Sequence, residues 1–93
     1  MGYNGWSNKA TWDVALILDN SSGLDAEAMA IAGEHGDHVQ ADDALRELVE
    51  GLCEELHPAG DLVSQLVSTA LAQVDWREIV RSYLARIVED ARP

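Results

Sequence analysis

His35 and His38 flank Asp37, and His57 lies four residues beyond Cys53. These are the side chains of the chain best suited to hold a cation such as Zn²⁺ or Ni²⁺, but a complete site needs three or four donors. For His35 and His38 the missing donors would have to be Asp37, Glu34 or a remote His57, and no zinc-signature spacing is present. Solvated loop histidines and an inert Cys53 thiol are the expectation, with no metal and no cofactor. Hydrolysis would need a nucleophile, a base and an orienting group within reach of one another. Ser7, Thr11, Ser21 and Ser22 instead sit where turns and helix starts use hydroxyls as caps. The paired acids Asp42-Asp43 and Glu54-Glu55 could share a proton or bind Mg²⁺, yet sequence neighbours on a helix diverge around its axis. No catalytic residue is assigned, and the chain is read as not an enzyme.

The elements that would position these residues are helices. Asn4-Gly5 is a turn dipeptide, and Ser7 or Asn8 can cap a helix running from about Asn8 to Asp19. Trp12, Val14, Ala15, Leu16, Ile17 and Leu18 cover so much of that helix that it reads as buried and central. The polar run from Asp19 to Gly23 ends it. A weakly amphipathic segment from Asp25 to about His35 carries small residues, Ala26 and Ala30 among them, suited to close packing. The stretch His35-Gly36-Asp37-His38 reads as the least structured of the chain. From Ala41 to Leu56, Leu45, Leu48, Val49, Leu52 and Leu56 fall on one helical face, with Asp42 and Asp43 placed to favour the N-terminal dipole. His57-Pro58-Ala59-Gly60 breaks that helix, and Asp61 caps the next, whose Leu62, Val63, Leu66, Val67, Ala70, Leu71 and Val74 read as a broad buried stripe. Asp75 and Glu78 occupy the Ncap and N3 positions of a capping-box-like start to the last helix, whose apolar face runs from Trp76 to Ile87. No strand or repeat is expected, so residues 1–93 read as one all-α domain, a bundle of four or five helices.

With 93 residues the chain is long enough for a single core and too short for two. Cys53 is the one cysteine, which leaves no internal disulfide. No apolar run approaches the ~20 residues that span a bilayer, and the start lacks a signal-peptide pattern, so a cytoplasmic protein without membrane contact is expected. The formal charge is −11, and between Ala10 and Trp76 every charged residue except Arg46 is an acid. Such a chain repels phosphate backbones, which argues against direct nucleic-acid binding and for a partner with a basic surface. Arg77, Arg81 and Arg86 of the last helix can pair with acids of a neighbouring helix or, in a homodimer, of a second subunit.

Two segments carry a resemblance. Tyr3-Asn4-Gly5-Trp6-Ser7-Asn8, followed by Thr11-Trp12, Val14-Ala15-Leu16 and Asp19-Asn20, is similar to the N-G-W-S-N-x-E-T-W-x-V-A-L-W opening of a family of small proteins from phages, mobile elements and their prokaryotic hosts. Val74-Asp75-Trp76-Arg77-Glu78-Ile79 resembles that family's second landmark, a V-D/N-W-x-E-I segment. The chain departs at Ala10, where the family usually has Glu, and at Ile17-Leu18, where an aromatic is common. The family carries a domain-of-unknown-function label, so the resemblance implies an origin and a helical domain without a reaction. Trp6, Ser7, Trp12, Asp75 and Trp76 are its structural signature in this chain.

Asp42, Asp43, Glu47, Glu50, Glu54 and Glu55 can project from the third helix as a carboxylate array that imitates phosphate spacing. The function expected on these grounds is a non-enzymatic interaction protein that inhibits a host nucleic-acid-handling or defence complex, in the manner of a DNA mimic, an anti-CRISPR or an anti-restriction protein. The alternative is a self-associating accessory domain with no host target.

Overall fold

A computed structural model describes residues 5–56, 60 and 62–91. Its helices are α1 (Lys9–Asn20), α2 (Ser22–His35), α3 (Val39–Leu56), α4 (Leu62–Leu71) and α5 (Trp76–Asp90), and no strand forms among the described residues. The fold is an all-α bundle. His57 and Asp61, placed by the sequence at a break and at a cap, lie outside the described residues.

Local chemistry explains the boundaries. Asn8 stands in extended geometry at φ −154° and accepts the Thr11 N–H at 2.8 Å, which satisfies one of the orphan donors of α1. Asp75 does the same for α5, accepting the Glu78 N–H at 3.1 Å. The polar run from Asp19 to Gly23 is not a loop: Asn20 closes α1, Ser22 opens α2, and Ser21 alone joins them. Its N–H donates to the Leu18 carbonyl and its carbonyl accepts the Asp25 N–H. Ser21 makes no side-chain cap bond, and the weak helix formers around it fall at helix ends, where low helix propensity costs least. Gly36 ends α2 at φ 68°, a conformation that L side chains rarely adopt, and only Asp37 and His38 separate it from α3.

The centre of the bundle is α5, not α1. Ile79 is 0% exposed, Val80 and Tyr83 are buried beside it, and α5 packs most extensively on α2 and α3. On α2, Ala28 and Ala32 are buried, and their small side chains let the two helices approach closely. From α1, Thr11, Ala15 and Leu18 enter the core, whereas Leu16 is exposed and Ile17 is 61% exposed. An apolar run that covers a whole circumference does not say which side meets neighbours, and α1 has neighbours on one side only. The stripe of α4 is likewise not buried: Leu62 is 73% and Leu66 62% exposed, because α4 lies chiefly along α3 and commits only Leu71 fully to the core.

Gly51 sits in the exposed middle of α3 with open space where a Cβ would stand. Gly51→Ala should therefore stabilise the fold by about 0.5–1 kcal/mol through lost unfolded-state entropy. Thermal denaturation should show a rise of a few degrees, and a fall would mean that α3 is not regular there.

Candidate functional site

The two aromatic landmarks of the sequence fold against each other. The Ser7 N–H and hydroxyl both donate to Glu78 Oε1, at 3.1 and 2.9 Å. Asn8 Nδ2 donates to the Gln73 carbonyl at 2.8 Å, while Asn8 Oδ1 accepts the Thr11 N–H and hydroxyl at 2.8 and 2.9 Å. Thr11, fully buried, accepts the Asp75 N–H on its Oγ1 at 2.8 Å. Asn8 rather than Ser7 is thus the cap of α1. The reciprocal half of the capping box is also replaced: Thr11 already holds the Asp75 N–H, so Glu78 turns to Ser7 instead. Trp76 is buried, and half-buried Trp6 and Trp12 line a depression of about 340 Å³ with Tyr83 and Arg86. Trp6, Ser7, Trp12, Asp75 and Trp76 form a clasp between the chain's beginning and its last helix.

Thr11→Val keeps the shape and removes both hydrogen bonds of the hydroxyl. Leaving the Asp75 N–H against a methyl should cost about 1–3 kcal/mol, more than the ~0.5–1 kcal/mol expected for exposed Ser7→Ala. Urea unfolding of the two variants checks this, and equal costs would mean that the clasp is not held through Thr11.

The arginines of α5 are satisfied within the chain. Arg77 pairs with Asp37 and, through Nε at 3.0 Å, with Asp42, and Arg81 reaches Asp37 at 3.2 Å. Arg86 binds Asp25 with two nitrogens at 2.9 and 3.2 Å, and the Tyr83 hydroxyl donates to the same carboxylate at 3.0 Å. The Arg86 guanidinium holds the Asp25 carboxyl below its usual range against the opposing effect of burial, and Tyr83 adds to the lowering. Burial, followed by the Asp25 carboxylate, pushes the Tyr83 phenol well up. Arg77, then Arg81, lowers Asp37.

A carboxyl depressed in the folded state gives stability that is present above its unfolded pKa of about 3.9 and is lost as pH falls below it. Asp25→Asn should therefore lower Tm at pH 7, and the difference should shrink as pH falls from about 4 through the lower folded pKa, below which the wild-type carboxyl is itself protonated. A difference that persists unchanged at low pH would assign the effect to packing instead.

His35 and His38 have no metal-site company among the described residues. His35 ends α2 half-buried, His38 is exposed, Asp37 between them is committed to Arg77 and Arg81, and His57 lies outside the described residues. Among the described residues no group of three or more His, Cys, Asp and Glu is arranged to hold a metal, and no helix is long and apolar enough to cross a membrane. Burial, then Glu50, raises the Cys53 thiol, which keeps it a poor nucleophile near neutral pH.

The acidic array divides in two. Asp43, Glu47, Glu50 and Glu54 are exposed and fall at i, i+4, i+7 and i+11, one stripe of α3 roughly 16 Å long. Arg46 stands within the stripe, 3.8 Å from Asp43 and 3.9 Å from Glu50, and Glu55 is exposed about 100° around the helix from Glu54. Asp42 leaves the array: its side chain is 16% exposed, its Oδ2 faces Arg77, and its buried Oδ1 has no hydrogen-bond partner. Burial, only partly offset by Arg77, raises its carboxyl above the usual range. Its place three residues before Leu45 and seven before Val49 sets it on the buried face, a signal that was present in the spacing. A further feature had no such signal: α1, α2 and α3 enclose an open groove of about 330 Å³ with wholly apolar walls, which include Val14, Ile17 and Leu52.

The chain belongs to a family of unknown function, DUF7249, whose profile matches residues 1–89. No curated protein and no solved structure matches it.

Proposed function

For this member of a family without an assigned activity, we propose a non-enzymatic interaction protein of phage or mobile-element type that inhibits a host nucleic-acid-handling or defence complex through α3. The observation that carries the reading is the solvent-facing stripe of Asp43, Glu47, Glu50 and Glu54 on a chain of formal charge −11. Arg46 is the one base on that helix, while the arginines of α5 are occupied by Asp25, Asp37 and Asp42. Side chains one helical turn apart stand ~5–6 Å from one another, close to the spacing of successive phosphates on a strand. A basic groove that accepts nucleic acid would be drawn to this stripe by long-range attraction and would release it as salt rises.

The test is capture from a lysate of the encoding organism at low and high salt, with mass spectrometry of what is retained. A nucleic-acid-handling or defence protein held at low salt and released at high salt supports the reading. The exposed Leu62 and Leu66 of α4 favour a second reading, a self-associating accessory domain. Recovery of the chain alone, as a dimer indifferent to salt, would establish that one instead.

A further inference from the structure

α4 is the shortest of the described helices, yet it carries Leu62, Val63 and Leu66, three of the seven large apolar side chains that stand exposed among the described residues. Leu62, Leu66 and exposed Ala70 follow one another at i, i+4 and i+8 with Val63 beside them, a stripe about 100° wide along the helix. The other side of α4 is occupied, since Ser64, Val67 and Leu71 line its cleft with Cys53 of α3. We infer that the exposed stripe pairs with the same stripe of a second copy of this chain, two α4 helices running antiparallel about a two-fold axis at Leu66. The inference rests on the self-association reading, whose surface it names, and not on the reading of α3.

Charge singles out the occupant. Among the described helices α4 alone has no charged residue, whereas α1, α2, α3 and α5 each carry acids. On a chain of formal charge −11 two copies repel wherever acids meet, and a charged partner gains no attraction from a helix without charge. Nor do the arginines of α5 join copies, since Arg77, Arg81 and Arg86 are held by Asp25, Asp37 and Asp42 of their own chain. An uncharged apolar face is what one copy has left to offer another. The stripe is also complementary to itself: antiparallel about Leu66, each Leu62 meets the partner's Ala70 and each Val63 the partner's Thr69, so a branched apolar side chain faces a smaller or more polar one on either side of the axis. Glu50 and Glu54 border α4 beside Ser64 and Ser68, at least about 120° around the helix from Leu62, Leu66 and Ala70, so the acids stay clear of the contact. A helix of ten residues is about 15 Å long, and a pair of that length buries less than the ~1,600 Å² of a standard interface, so the dimer is weak and concentration-dependent.

Sedimentation equilibrium of the full chain, from low micromolar to about 1 mM, reads the association. The mean mass should rise from one chain toward two with a dissociation constant between about 10 and 500 µM, and NaCl should not weaken it. Leu66→Glu should weaken association at least tenfold, with Tm at low micromolar concentration unchanged. Ile17→Glu, which adds the same charge at an exposed apolar position of α1, should leave association as it is. In a Cys53→Ser background, Leu66→Cys should cross-link two chains through a disulfide on mild oxidation, and Ser68→Cys, on the flank that borders Glu50 and Glu54, should not. A monomer throughout the range would overturn this inference and the self-association reading together. A dimer that survives Leu66→Glu, or that Ile17→Glu dissociates, would overturn α4 as the surface and leave self-association standing. Equal cross-linking of the two cysteine variants, or none in either, would overturn the two-fold register at Leu66. A wild-type monomer that retains a lysate protein only while Leu66 is intact would give the stripe to another partner.

Discussion

Ile79→Ala should destabilise the protein by about 2–5 kcal/mol, the largest effect expected of any single substitution considered. Ile79 is 0% exposed on the helix that α2 and α3 enclose, so truncation removes apolar transfer energy and leaves a cavity that close-packed neighbours cannot fill. A chain of 93 residues has on the order of 5–14 kcal/mol in total, so this loss is a large share of the whole. Ile17→Ala is the matched control. Chemically the same truncation, it falls on a side chain that is 61% exposed and should cost no more than about 0.5 kcal/mol. Urea denaturation curves of both variants decide which helix is central, and equal losses would return α1 to that place.

Reversing Glu47, Glu50 and Glu54 to Lys together should abolish partner binding and leave the fold intact. All three side chains are exposed, and none holds a contact that the core needs. Each reversal exchanges an attraction of about 0.5–1 kcal/mol for a repulsion of similar size, so three cost ~3 kcal/mol or more, roughly a hundredfold in affinity. Far-ultraviolet circular dichroism and Tm should match wild type. Intact folding with undiminished binding would remove α3 as the contact surface, whatever the partner proves to be.

How far the sequence led depended on the range of the interactions. The α3 and α5 helices were legible because their apolar residues repeat at helical spacing, and the Asp75 cap of α5 because capping acts within three residues. The central helix was not legible: α1 is apolar around most of its circumference, so its pattern carries no direction, and only packing shows that Leu18 is in and Ile17 is out. The exposure of α4 is hidden from the sequence for a related reason, since an apolar stripe states what a helix can bury and not what is there to cover it. The two landmarks were visible as motifs, but the hydrogen bonds that join them link residues 64 or more positions apart for Thr11–Asp75 and Ser7–Glu78, beyond any local pattern. The same holds for Arg86, whose bidentate partner Asp25 is 61 residues away. Within the acidic array, Asp42 could have been separated from Asp43 by its register with Leu45 and Val49, whereas the apolar groove needed three helices to be placed before it existed.

The most direct measurement of the acidic-surface reading is the salt dependence of binding to the captured partner, taken with wild type and the triple reversal from low to high NaCl. Wild-type affinity should fall steeply and linearly on logarithmic axes, and the reversal should bind weakly at every concentration with a flattened slope. Affinity that is independent of salt and equal in the two proteins would contradict recognition through the carboxylates of α3.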